Sequence, residues 1–144
     1  MATVFDVAKY ILHKQGRMST WKLQKLCYYS QAWHLAWTGN PIFEEDFEAW
    51  ANGPVCPELF HAHQGKFFVN ENDFVRGNAD DLDVDVQDSI NVVLNDYGEM
   101  EPYDLRELSH REAPWINARG SIPDGEKCST VITKESMGEY YGSL

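Results

Sequence analysis

Residues Ser19 to Gly39, STWKLQKLCYYSQAWHLAWTG, constrain the fold of this chain more than any other segment. The run is long enough for about five helical turns. Ser19 is a favoured N-cap residue, and Gly39 followed by Pro41 is a stop signal. Trp21, Tyr28, Ala32 and Leu35 make one apolar stripe, Leu23, Leu26, Trp33 and Trp37 a second, and Cys27 and Tyr29 fill part of the remainder. A helix that is apolar nearly all round is stable only inside a core, so the spacing predicts a central helix with the rest of the chain packed around it. Three polar residues interrupt it. Gln24 and Gln31 lie on one side, next to Tyr28, and Lys25 falls among Trp21, Tyr29, Ala32 and Ala36. Two readings of these residues compete. In one, the lysine snorkels to solvent and the glutamines bond to nearby backbone. In the other, the three form a polar seam that faces a partner.

The flanking sequence supplies the shell. Thr3 with Asp6 three positions later starts a helix from Val4 to Gln15. Val4, Val7, Ala8, Ile11 and Leu12 form its inner face, Asp6, Lys9 and His13 its outer face, and Gly16 ends it. After the Gly39-Asn40-Pro41 turn, partial alternation predicts a short strand over residues 47–51, broken by Asn52-Gly53-Pro54. Pro57 opens a short helix to Gln64. Phe67-Phe68-Val69 and Phe74-Val75, separated by Asn70-Glu71-Asn72-Asp73, read as an antiparallel hairpin. A solvated acidic stretch, Asp80 to Asp85, leads into a helix from about Val86 to Tyr97, with Val86, Ile90, Val93, Leu94 and Tyr97 on one stripe. Further helices are expected over Pro102–His110, Pro114–Ala118 and from Thr133 to about Tyr141, with a loop over Gly120–Lys127. The predicted fold class is mainly α (α+β): a buried central helix, several surrounding helices and a small antiparallel β element. With no internal repeat and no linker composition, residues 1–144 read as a single compact domain.

Charge and cysteine usage narrow the function. Twelve Lys and Arg against 23 Asp and Glu leave a formal charge of −11, which repels nucleic-acid backbones and anionic membranes and attracts basic proteins. The expected partner is therefore a protein, with no direct nucleic-acid contact. No apolar run reaches the roughly 18 residues of a membrane span, and the N-terminus lacks the basic n-region and small-residue cleavage site of a signal peptide. Cys27, Cys56 and Cys128 are odd in number and far apart, which suits reduced thiols in the cytoplasm.

Patterns for chemistry fail individually. His61 and His63 near Cys56 suggest a metal site, but residues two apart on a helix do not share a face. Asp81, Asp83 and Asp85 imitate the start of a calcium loop, yet Val86 and Val92 stand where that loop needs glycine and a bidentate glutamate. Cys27 lies in the central helix as a small hydrophobe, and Cys56 sits near a helix N-terminus, where a thiol pKa can fall. No glycine-rich phosphate loop is present. The expectation is no catalytic residue, no cofactor and no metal. Leu108 to Trp115, LSHREAPW, reads as a helix end followed by a proline-initiated helix that buries Trp115; the competing reading places His110, Trp115 and Arg119 on a recognition surface.

Taken together, Lys25-Leu26, Tyr28-Tyr29, Gln31-Ala32-Trp33, Leu35-Ala36, Phe43, Phe47-Glu48-Ala49-Trp50, Gly53-Pro54-Val55 and Leu59 resemble, in order and spacing, the signature of the Panacea domain. This is the family of SocA-like and GepA-like phage-associated proteins. LSHREAPW with Arg119, and the terminal Glu139-Tyr140-Tyr141, are similar to the family's C-terminal half. The resemblance runs from Val4 to Tyr141, with no matching motif over residues 66–85. It implies a non-enzymatic antitoxin of a toxin–antitoxin system that neutralises a cognate protein toxin by direct binding. The alternative it implies is a proteolytic adaptor that delivers the toxin to the ClpXP protease. Within the motif, Lys25, Leu26, Tyr28, Trp33, Trp50, Gly53, Pro54, Val55, His110 and Trp115 are expected to be mainly structural. Gln24, Gln31 and Arg119 are the candidates for partner contact, and residues 66–85 for specificity.

Overall fold

A computed structural model describes residues 1–144. In chain order it contains α1 (Val4–Gln15), β1 (Met18–Ser19), α2 (Thr20–Thr38), β2 (Phe47–Trp50), β3 (Gly53–Val55), α3 (Pro57–His63), β4 (Phe68–Val69), α4 (Val84–Tyr97), α5 (Pro102–His110), α6 (Ala113–Arg119), β5 (Val131–Ile132) and α7 (Lys134–Gly142), with single 3-10 turns at Glu71–Asp73 and Ala79–Asp81. The fold is mainly α, with α2 at its centre. That helix packs against α7, α4, α1, α5 and β3, and every residue from Leu23 to Ala32 is buried. Its start is held by the Ser19 hydroxyl, which accepts from the Lys22 amide at 3.1 Å. Thirty-four buried apolar residues form one contiguous cluster around it, so the all-round apolar surface of α2 is matched by apolar faces on every side.

The strands differ from expectation in three places. Gly53-Pro54-Val55 is not only a chain break: it forms β3, antiparallel to β2, pairing Glu48 with Val55, Ala49 with Pro54 and Trp50 with Gly53. Ala51-Asn52 makes the turn, and β5 adds to the other edge of β2 through Phe47–Ile132 and Glu48–Val131. At two residues, β5 is too short to leave a periodic signal. The hairpin expected over residues 67–75 does not form. Phe68-Val69 instead pairs with Met18-Ser19, and Val75 is fully exposed. The polar cluster between them explains why: the Asn70 side chain accepts from the Asn72 amide at 3.0 Å and Asp73 accepts from the Asn70 amide at 2.8 Å. These local bonds wind the segment into a helical turn rather than a strand connection.

Asp6 also departs from its expected outward position. It is buried, with its carboxylate accepting from the amides of Thr3 at 2.8 Å and Asn78 at 2.6 Å. The two 3-10 turns lie over α1, so the 66–85 segment covers the Asp6 end of the face that amphipathicity assigns to solvent, while His13 stays exposed.

Candidate functional site

Several signature residues hold the β2–β3 hairpin and the chain on either side of it. Gln24 and Gln31 act as surrogate strand edges on opposite turns of α2. The Gln24 amide oxygen accepts from the Cys56 amide at 2.9 Å, and its nitrogen donates to the Cys56 carbonyl at 3.2 Å. That nitrogen also lies 3.1 Å from Nε2 of buried His63. The Gln31 nitrogen donates to the Phe43 carbonyl at 2.8 Å while its oxygen accepts from the Ile42 amide at 2.7 Å. Each glutamine satisfies two backbone groups that no strand reaches. Both are buried in the free chain.

The later motif serves the same hairpin. Three successive carbonyls at the end of β2 are each met by a side chain from α5 or α6. Arg119 Nη1 donates to Ala49 O at 2.9 Å, Trp115 Nε1 donates to Trp50 O at 2.9 Å, and His110 Nε2 lies 2.8 Å from Ala51 O. The other ring nitrogen of His110 lies 2.6 Å from the Arg106 carbonyl. Arg119 is 3 % exposed and also donates to the Pro123 and Glu126 carbonyls. It is a clasp for the loop after α6. Trp115 is buried beneath it, with the guanidinium 4.9 Å from the ring centre.

Lys25 does not snorkel. It is 1 % exposed, and its Nζ is buried with no hydrogen-bond partner. Gly53 explains how the chain closes over it. At φ +111°, Gly53 lies so near that a Cβ there would stand 2.5 Å from Lys25 Cε and 3.1 Å from Ser109 Oγ. Only glycine permits this approach, which gives Gly53 of the Gly-Pro-Val signature its physical role. Burial, reinforced by the like charge of Arg106, lowers the Lys25 pKa to about 7.

One turn further along α2 lies a contrasting site. Glu112 Oε1 accepts from the hydroxyls of Tyr29 at 2.7 Å and Tyr141 at 2.8 Å, and the Tyr141 hydroxyl is 3.2 Å from that of Tyr28. Burial pushes the Glu112 pKa up, and the two tyrosine hydrogen bonds act against that rise. Trp33 donates from Nε1 to Tyr97 at 2.9 Å, and Tyr97 stacks on Tyr29 at 4.3 Å. Sequence reasoning passed over Glu112. The available signal was an acid inside a motif whose neighbours pack, together with tyrosine pairs in α2 and α7.

The surface near the hairpin turn carries two concavities that meet at exposed Asn52. A pocket of about 170 Å³ is lined by Trp21, Lys25, Asn52, Pro102, Tyr103 and Arg106. A second, of about 430 Å³, is lined by residues that include Trp50, Asn52, Lys127 and Cys128. A larger cleft of about 690 Å³ is built from other residues, among them Asp81, Asp83, Asp85 and His34. There Asp83 is engaged as the cap of α4, accepting from the Val86 amide at 3.0 Å. His61 and His63 are not brought together, since His63 is buried and His61 lies at the surface. Cys27 and Cys56 are buried thiols with pKa values pushed up by burial, that of Cys56 to about 12. This removes the expectation of a lowered pKa at the start of α3. No helix is long and apolar enough to cross a membrane.

Comparison with known proteins places this arrangement. The chain is 32% identical over 124 residues to Antitoxin SocA of Caulobacter vibrioides, an alignment that covers 76% of this chain and 66% of that protein. The chain thus spans just under two thirds of the relative's length. No solved structure matches it. The family described as "Antitoxin SocA-like, Panacea domain" matches residues 23–116, a stretch that takes in most of α2, the β2–β3 hairpin, α5 and the first half of α6 and ends short of Arg119. On these matches, the chain belongs to the SocA-like, Panacea-domain family.

Proposed function

We propose that this chain is a non-enzymatic antitoxin that neutralises a cognate protein toxin by binding it directly through the surface around the β2–β3 turn. The observation that carries this reading is how the family signature is spent. Gln31 and Gln24 turn inward and brace the chain before and after the hairpin, and Trp115 and Arg119 hold the carbonyls of β2, so the shared motif builds a platform and the turn it presents does the binding. Around Asn52 that platform offers half-buried Trp21 and Trp50 and a 64 % exposed Tyr103. Aromatic groups beside a rigid turn are what protein interfaces favour. The relative's name, Antitoxin SocA, supports the same role. The charge of −11 would speed capture of a basic toxin. The exposed side chains of Phe67, Phe68 and Val75 suit residues 66–85 to a role in specificity.

Co-expression with the product of the adjacent gene tests the proposal. The expected result is that this product arrests growth alone, is harmless beside the chain, and co-elutes with it. Asn52→Arg together with Tyr103→Ala should abolish both rescue and co-elution while leaving the circular dichroism spectrum unchanged. A toxin that stays lethal and unbound beside the wild-type chain overturns the reading. A partner whose half-life shortens only when ClpXP is present would replace steric neutralisation with the adaptor mechanism.

A further inference from the structure

The pocket beside the turn contains a charge with no hydrogen-bond or ion-pair partner. Lys25 is among its lining residues, and its Nζ is buried with only the Trp21 ring, 5.5 Å away, to face it. Arg106, half-exposed at the same pocket, has only its neighbour Glu107 at 3.7 Å, a surface pair of little worth. The first turn of α5 adds backbone donors, while Glu101 and Asp104 oppose the dipole at that end. Pro102 and Tyr103 line the pocket, and the N-cap residue Glu101 makes no side-chain cap bond, so the amides of that turn are left to solvent or ligand. An unpaired buried ammonium is among the least favourable groups a fold can hold. Here it sits in a protein with 23 acidic residues, none of which reaches it.

We propose that this pocket is a carboxylate-binding site, with Lys25 supplying charge from the floor and Arg106 the hydrogen bonds at the mouth. The size and walls select the ligand. A volume of about 170 Å³ equals that of roughly six liquid waters, enough for a carboxylate on a short apolar stem and too small for a nucleotide. Trp21 and Tyr103 present aromatic walls to a planar group. A guanidinium matches the two oxygens of a carboxylate in one plane. The ligand is either a free small carboxylate or the acidic side chain of a bound protein, and the site itself does not depend on the antitoxin reading.

The test uses the free full-length chain. The Trp21 indole N–H resonance is followed during titration with sodium acetate and, separately, with N-acetyl-glutamate amide, each against sodium chloride at matched ionic strength. The expected result is a saturable shift with a carboxylate and none with chloride. Lys25→Met and Arg106→Gln should each weaken it by roughly tenfold or more. Arg106 is half-exposed, so its variant keeps the test valid even if Lys25→Met perturbs the fold. Tighter binding of the glutamate amide than of acetate assigns the site to an acidic side chain; equal or weaker binding assigns it to a free small carboxylate. Absence of saturation with both probes, or an equal response in both variants, overturns the proposal.

Discussion

Two buried charges lie against α2, Lys25 on the helix itself and Glu112 at the start of α6, bonded to Tyr29 one turn beyond Lys25, and the protein treats them in opposite ways. Glu112 enters the core and meets two tyrosine hydroxyls within 2.8 Å. Lys25 enters the core and meets carbon: the Trp21 ring 5.5 Å away and the Gly53 backbone against its side chain. Burial alone disfavours both ions. Hydrogen bonding offsets the cost at Glu112, whereas at Lys25 no hydrogen bond or ion pair does so and only the Trp21 face contributes. The difference separates a structural charge, complete within the domain, from one that is complete only with something else present. Because Tyr29 and Lys25 are four residues apart on one helix, the contrast reflects the shell around α2 and not the helix.

The largest expected effect tests the satisfied half of this comparison. Glu112→Ala removes the acceptor of the Tyr29 hydroxyl and leaves Tyr141 with Tyr28 alone, while opening a small void. The unpaired hydroxyl and the lost packing together predict a destabilisation of about 4 kcal/mol. Urea denaturation monitored by tryptophan fluorescence would measure it. A loss below about 1 kcal/mol, the net worth of one ordinary hydrogen bond, would mean that Glu112 is no better satisfied than Lys25, and the comparison would fail. Next in size is Gly53→Ala. Its methyl would press on Lys25 Cε at 2.5 Å in a backbone conformation with φ +111°. The expected cost is about 2 kcal/mol, mostly from the conformation. The double variant with Lys25→Ala should recover the part owed to the clash, so the non-additivity measures how tightly Gly53 seals the lysine.

How much of this was legible in the sequence follows the same division. The helices were legible because each has an apolar stripe and a cap: α1 and α2 have the predicted limits, and α4 begins two residues earlier because Asp83, not a later residue, is its cap. The burial of Asp6 and the pairing of Phe68-Val69 with Met18-Ser19 were not legible, since both depend on where the 66–85 segment lies, and local periodicity does not report that. At the site, the inward glutamines followed from the cost of burying an amide without partners. Lys25 did not follow. The same reasoning favoured snorkelling, and only the Gly53 approach, 28 residues downstream, closes that route. A residue that defeats a sound local rule is where function is to be sought.

The smallest predicted effect probes that unsatisfied half directly, through pH. Lys25 has its pKa lowered from 10.5 to about 7 by burial and by Arg106. The unfolded chain therefore keeps this proton up to about pH 10.5, and the folded chain releases it above about pH 7. Over that interval the unfolded state binds more protons, so folding stability rises with pH, by roughly 1 kcal/mol per unit. Other groups bound the window. His34 and His63, both pushed below 6.5 by burial, stop contributing once pH exceeds 6.5. Glu112, raised above 4.5, lowers stability as pH climbs through its folded pKa. Cys27 and Cys56, raised above 9.0, keep their protons in the fold while the unfolded thiols lose theirs, so stability declines beyond about pH 9. Between pH 7 and 9, then, the wild-type curve should climb and the curve of Lys25→Met should stay flat. The variant should be the more stable at pH 7, with the gap narrowing toward pH 9. Equal slopes would mean that the lysine already has a partner inside the fold. It would then resemble Glu112, and the pocket at Asn52 would have no unanswered charge to offer a ligand.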